Sequence, residues 1–413
     1  MTMSDRSILL AACWSMGLTM LLVEGVRPLL PVLAHDLGAS PALIGVMVGA
    51  FAAVPLFLAI PMGYWIVRTG TGRLSPLAAV GLGGAVLLVA LWPTYLGLLL
   101  SQLLLGISHL AFAVDTQTTA TSVGDPRERV RSLSLYTTFI SGGQLVGPLL
   151  VGILTDAFGY RVTTALMSIL AVPLLFTARH MRPGAGDLTA AAAAPSAADA
   201  GGAAPGGRVL VILREPVVWL SILGGFAVIF EMTVRQSFLP LYVEGLGYSS
   251  TTWGSLLSVR AAAAMLGRVL IDRLMARAGG QLRLMVAALV VTAVGLGAVP
   301  FVSSVAGLFV LSIIVGAAAG LVLPLSMALL AEGVEKDVRG LAVAVRLTGN
   351  RVAQLLSPVA VGFIAEVLGI GAAFYAAGAI LLLVAAVIGP LGRSDPGSEP
   401  AGDRSGQQEQ RRV

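Results

Sequence analysis

Apolar residues run through this chain in long unbroken stretches. Leu37–Val67 holds no charged side chain over 31 residues, Leu74–Val114 holds none, and Leu284–Ala331 holds none over 48. Crossing ~30 Å of hydrocarbon takes about 20 apolar residues at about 1.5 Å each. The first run therefore fits one span, and the last fits two, hinged near Pro300–Ser304. Backbone amides in lipid have to bond within their own segment, so the spans are helices. In order the pattern predicts spans near Ile8–Leu33, Pro41–Ile66, two within Leu74–Val114 hinged at Trp92–Tyr95, Ser132–Thr155 and Val162–Thr177. Six more follow near Val217–Tyr242, Thr251–Leu274, Arg283–Phe301, Ala306–Ala331, Leu341–Glu366 and Ala372–Leu391.

The chain repeats itself. Gln144–Tyr160 (QLVGPLLVGILTDAFGY) and Gln354–Ile370 (QLLSPVAVGFIAEVLGI) agree at six of seventeen positions, including Gln144/Gln354, Pro148/Pro358, Gly152/Gly362 and Gly159/Gly369. Asp156 and Glu366 keep the charge. Glu24-Gly-Val-Arg27 answers to Glu231-Met-Thr-Val-Arg235 at nearly the same offset, as Val67–Gly70 answers to Ala276–Gly279. Two related halves in an apolar chain are the signature of a transporter.

Composition fixes the medium. Hydrophobic residues make up 57% and charged residues 11% of 413, against about a quarter charged in soluble domains. The single cysteine, Cys13, excludes a disulfide framework and reads as a small apolar filler. The net charge of +5 is spread over loops, so no nucleic-acid partner is expected. Leu10-Ala-Ala-Cys13 looks like a lipoprotein cleavage box, but only Ile8–Leu10 precede it, short of the ~7–15 apolar residues a signal needs.

Residues 1–182 are read as an N-terminal six-helix half and 208–392 as a C-terminal one. Between them, 183–207 is a Pro-, Gly- and Ala-rich flexible linker; 208–213 is a short surface helix and 393–413 a polar tail. Arg and Lys in short loops set orientation. Arg68, Arg73, Arg127, Arg129, Arg131, Arg273, Arg277, Arg283, Lys336 and Arg339 fall on one side, and Arg161 alone on the other. Both termini are therefore expected in the cytoplasm of a bacterial inner-membrane protein.

Six spans, a cytoplasmic linker and six spans, with two loop and helix motifs, resemble the major facilitator superfamily over nearly the whole chain. Gly63-Tyr-Trp-Ile-Val-Arg68-Thr-Gly70-Thr-Gly-Arg73 is similar to the family's Gly-x-x-x-Asp-Arg-x-Gly-x-x-Arg loop between spans two and three. Val67 stands where the family has the aspartate, and Ala276 replaces it in the second half. Gly143-x-x-x-Gly147-Pro148 is similar to the Gly-Pro motif of the family's antiporters, with Ser134 at the first glycine of the fuller pattern. The resemblance implies an all-α membrane fold of two six-helix bundles, a central cavity lined by spans one, four, seven and ten, and movement by rocking of the halves. It also implies gating roles for Gly63, Arg68, Gly70, Arg73, Gly143, Gly147, Pro148 and Pro358. The glycines have a plainer reading as close-packing positions.

Ionisable residues inside spans are costly and mark function. Glu24 and Arg27 in span one, and Glu231 and Arg235 in span seven, lie three and four residues apart, each pair on one helix face. They read either as self-neutralising ion pairs or as two related pairs in a charged cavity. Asp115 in span four, near His109 and Gln117, is a third acid. Glu24, Asp115 and Glu231 are thus the proton-coupling candidates, with Glu24 first. Arg27, Arg235, Gln117, Gln144, Arg346 and Asn350 are the candidate substrate contacts, and Arg260, Arg346 and Arg351 possible counter-ions. Asp156 and Glu366 are read as caps or partners of Arg161, and Asp272 with Arg268, Arg273 and Arg277 as a cytoplasmic ion network.

No phosphate-cradling loop is present, since the only lysine, Lys336, lies in Val-Glu-Lys-Asp. No zinc-spaced His/Cys set or nucleophile elbow appears, so no cofactor, metal or enzyme activity is expected. The resulting expectation is a monomeric secondary transporter of a small molecule, foremost proton-coupled efflux of amphipathic compounds. The resemblance to organophosphate–phosphate exchangers, which pair arginines on spans one and seven, implies an alternative: uptake or exchange of an anionic metabolite. A non-transporting membrane sensor is the distant third.

Overall fold

Proline and glycine decide where these apolar helices stop. The computed structural model describes residues 3–69, 72–122, 129–181 and 212–391. The N-terminal half comprises α1 (Met3–Val26), α2 (Leu29–Asp36), α3 (Pro41–Thr69), α4 (Ser75–Leu91), α5 (Tyr95–Ser122), α6 (Arg129–Ser168) and α7 (Ala171–His180). The C-terminal half comprises α8 (Pro216–Gly245), α9 (Ser250–Val269), α10 (Ile271–Ala278), α11 (Gln281–Gly297), α12 (Val305–Gly333), α13 (Lys336–Leu368) and α14 (Ile370–Leu391). The linker at 183–207, the tail at 393–413 and most of the expected helix at 208–213 lie outside the described residues.

Among the described residues eight stretches are long and apolar enough to cross a membrane, and α9 with α10, bent by 65°, counts as a ninth. One of the eight, 131–180, is 50 residues long, twice what a crossing needs. Gly159, at φ 74° and ψ 166°, breaks it in two. With the 17-residue helices α4 and α11, the fold has twelve crossings, six to a half.

Span one departs from the expected single helix. Pro28 has no N–H to continue the ladder, so α1 closes at Arg27 N–H to Val23 O (3.0 Å) and α2 opens at Leu30 N–H to Arg27 O (3.3 Å). Arg27 sits in that break.

The sequence repeat is a structural repeat. Gly369 has φ 87° and ψ 162°, the conformation of Gly159, and only glycine takes it without strain. One core cluster runs through both halves and includes Phe51, Phe112, Phe238, Trp253 and Phe374.

The halves meet in two equivalent places at the end of the bundle away from the chain termini. A Cβ on Gly254 of α9 would lie 2.4 Å from Pro148 O of α6, and one on Gly45 of α3 would lie 2.1 Å from Pro358 O of α13. Beside each contact a carboxylate crosses over. Asp156 at the end of the first half of α6 accepts Ser250 N–H (2.9 Å) and Thr251 N–H (2.8 Å) at the start of α9. Glu366 at the end of α13 accepts Ala42 N–H (3.0 Å) and Ser40 Oγ–H (2.8 Å) at the start of α3. Both satisfy amides that no intrahelical carbonyl reaches. Of the two roles the sequence suggested, Asp156 and Glu366 take the cap, and each caps a helix of the opposite half.

Candidate functional site

A cavity of about 330 Å³ lies between the halves. α1 presents Met20 and Glu24 to it, the break after α1 Arg27, α3 Phe51, α5 His109, and α6 Ser141, Gln144 and Pro148. From the other half come Met232, Arg235 and Gln236 on α8, Arg260, Met265 and Arg268 on α9, and Asn350, Arg351 and Gln354 on α13. The Gly-Pro motif seats α6 close enough to α1 to form this wall: Cβ atoms on Gly143 and Gly147 would lie 2.3 Å from Gly17 O and 2.4 Å from Leu21 O.

The two related acids have different surroundings. Glu231, fully buried, accepts Arg235 Nε–H one turn on (2.7 Å). Arg260 grips it from α9, through Nε (3.2 Å) and by a close Nη2 contact. Two guanidinium groups thus hold one carboxylate, the bidentate geometry suited to a buried charge. Glu24 makes no ion pair within 4.0 Å among the described residues. Its Oε2 accepts a close hydrogen bond from Gln236 Nε2, while Gln236 Oε1 accepts Arg27 Nη1–H at 3.1 Å. The guanidinium of Arg27 also lies over the Phe51 ring, 4.1 Å from its centre, a cation–π contact.

The cavity's arginines outnumber its acids. Arg27 Nε and Nη2 and Arg235 Nη2 are buried without a partner among the described residues, as are Asn350 Oδ1 and both ring nitrogens of His109. Arg351 donates to Gln354 Oε1 (3.1 Å).

The structure thus brings together Glu24, Arg27, Glu231, Arg235, Gln144 and Asn350, and leaves three expected site residues elsewhere. Asp115 does not line the cavity. It accepts Gly72 N–H (2.8 and 3.0 Å) and Ser75 Oγ–H (2.5 Å), capping α4. It lies six residues, or ~9 Å, beyond His109 along α5. Gln117, two residues further round that helix, is exposed. Arg346 is buried among C-terminal helices, donating to Ser221 O (3.2 Å) and Ser326 Oγ (3.0 Å). Arg268, expected in a surface ion network, lines the cavity instead and donates to Gly320 O at 3.4 Å. In the loop motif Arg73 is exposed, Gly70 lies outside the described residues, and so does the side chain of Arg68. Gln236 and Phe51 went unnoticed in the sequence, where nothing sets either apart.

The model of the family described as Major Facilitator Superfamily matches residues 12–287 and 280–412. The chain belongs to that family. It is a multi-pass membrane protein of that family. The inner membrane transport protein YnfM of Escherichia coli K12 is 30% identical over 183 residues, which is 42% of this chain and 43% of YnfM. The multi-drug resistance efflux pump PmrA of Streptococcus pneumoniae TIGR4 is 32% identical over 166 residues, 39% of this chain and 41% of PmrA. These two matches thus span less than half of each relative. The multidrug resistance protein MdtG of Dickeya zeae is 25% identical over 81% of both chains. A solved bacterial homologue of the human lysosomal transporter Spinster superposes with a TM-score of 0.76 at 16% identity, covering 96% of this chain and 98% of its own. That likeness is one of fold.

Proposed function

We propose that this transporter exports amphipathic compounds in exchange for protons, by alternating access, with Glu24 carrying the proton. The observation behind it is the contrast between the two acids. Glu231 is held by two arginines, so protonating it would strand two buried cations. Glu24 is held by an amide, which stays bonded whether its partner is charged or neutral. A carrier carboxylate has to gain and lose its proton without unfolding its surroundings. Glu24 meets that condition. Met20, Met232, Met265 and Phe51 supply adaptable apolar surface beside the charges, which suits varied amphipathic molecules, as does the likeness to PmrA, a multi-drug resistance efflux pump, and MdtG, a multidrug resistance protein. Gly143, Gly147, Pro148, Pro358 and the Gly63–Arg73 loop belong to the gating machinery in this reading, both termini lie in the cytoplasm, and the protein works as a monomer.

The test is flux in proteoliposomes. Glu24→Gln is expected to keep substrate exchange and lose accumulation driven by a pH gradient. Accumulation at the wild-type level by that variant would sink the assignment.

A second reading is transport of an anion, favoured by the unpartnered donors of Arg27 and Arg235. It predicts that Arg27→Gln and Arg235→Gln each abolish binding of an anionic substrate in a folded protein.

A further inference from the structure

We propose that Gln236 is a positioning residue: an amide clasp that ties Glu24 and Arg27 of one half to α8 of the other and transmits the charge state of Glu24 to the separation of the halves. This rests on the reading of Glu24 as proton carrier.

The orientation of the clasp follows from chemistry. A guanidinium has only donors and a carboxylate only acceptors. Gln236 therefore turns Oε1 to Arg27 and Nε2 to Glu24, with no freedom to flip while both are charged. Its partners lie 209 and 212 residues away, Arg27 in the break after α1 and Glu24 on α1, and Gln236 is 7% exposed. No second clasp mirrors it. In the repeat, Arg27 answers to Arg235, so the residue matching Gln236 is Pro28, which has no polar side chain. One repeat thus keeps a backbone break where the other has a side chain that reaches across.

An amide bond to a carboxylate is charge-assisted and about twice as strong as one to a neutral acid. With Glu24 ionised the clasp holds α8 to α1. When the proton arrives on a Glu24 oxygen the bond weakens to its neutral form, while the Arg27 bond to Oε1 persists. Protonation thus loosens one of the two links across the halves, and release of the proton restores it. The charged groups around Glu24 are Arg27 in the break after α1, His109 on α5, Arg235 on α8 with Glu231 paired behind it, Arg260 and Arg268 on α9, and Arg351 on α13; α6 adds only the uncharged Ser141, Gln144 and Pro148. None of the arginines changes charge in the working range, and among the groups that remain Glu24 alone is bonded to Gln236, so the clasp follows the charge of Glu24.

The experiment measures the distance between spin labels on the two halves, across pH, in full-length protein in nanodiscs. In the wild type the ratio of joined to separated halves should rise about tenfold from the protonated to the ionised state, as expected for a hydrogen bond to a charged group. Gln236→Met, of nearly the same shape, should lower the ratio at high pH by that factor and flatten its pH dependence. Glu24→Gln should flatten it too. Combining Glu24→Gln with Gln236→Glu returns an acid–amide pair with its polarity reversed and should restore a pH-dependent ratio. If Glu24→Gln is flat but Gln236→Met titrates like the wild type, the clasp is refuted and Glu24 stands. If Glu24→Gln titrates like the wild type, the reading of Glu24 fails first. A folded Gln236→Asn, one methylene too short to bridge both partners, should behave as Gln236→Met; wild-type behaviour there would also overturn the clasp.

Discussion

Adding one methyl group at Gly254 or Gly45 tests what holds the far end of the bundle shut. In Gly254→Ala the new Cβ would fall 2.4 Å from Pro148 O, and in Gly45→Ala 2.1 Å from Pro358 O, where ordinary contact begins near 3.4 Å. Both neighbours are backbone carbonyls inside helices, which cannot rotate aside as a side chain does. Each substitution therefore has to part α6 from α9, or α3 from α13, by about 1 Å. Overpacking on this scale costs ~1–3 kcal/mol. Only the state in which these helices touch bears the cost; a state with that end open escapes it. The ratio of the two states should then fall by about 5–150-fold, the range that such energies convert to. Spin labels at Thr94→Cys and Ser303→Cys, in loops of opposite halves, report the ratio as a distance distribution, and the native Cys13 is fully buried. Both variants should lengthen that distance. If either folds and keeps the wild-type distribution, the backbone contact is not what closes that end.

Other perturbations separate the remaining roles. Glu231→Gln leaves Arg235 and Arg260 buried without their anion and should cost ~3–5 kcal/mol, seen as a large drop in Tm, whereas Glu24→Gln should change Tm little. Removing either crossing cap, by Asp156→Ala or Glu366→Ala, should cost ~0.5–2 kcal/mol and raise solvent exchange at the first amides of α9 or α3 respectively; no change in exchange would count against cross-half capping. Asp115→Asn should disturb α4 and the neighbouring loop while leaving pH-driven accumulation coupled, since the carboxylate lies outside the cavity; uncoupled exchange would return Asp115 to the proton path. Orientation is checked with an impermeant maleimide: Ser303→Cys should react in intact cells and Arg277→Cys only after lysis.

The fold was legible because lipid leaves few choices. A charge-free run of the right length has to be a helix, and a repeat such as Gly152/Gly362 or Gly159/Gly369 keeps its meaning because backbone geometry demands the residue. The cavity was half legible. Glu24, Arg27, Glu231 and Arg235 announced themselves because charge inside a span has to be accounted for. Asp115 showed the same signal but lies outside the cavity, since a buried acid near a helix end also caps, and position along a long helix cannot be read from composition. Gln236 gave no signal at all. An amide is tolerated on many surfaces, and only the approach of α1 to α8 turns it into a link. The Phe51 face under Arg27 and the inward turn of Arg268 likewise depend on how helices distant in sequence pack.

The crossing caps have a kinetic meaning. Asp156 and Glu366 sit at equivalent points of the two repeats and each caps a helix of the opposite half, so neither half can tilt away while the other stays docked. Opening one seam without the other would twist the bundle about the seam still fastened. The low-energy route releases both carboxylates in the same step. A carrier built this way moves as a toggle, with few stable half-open shapes through which ions could leak.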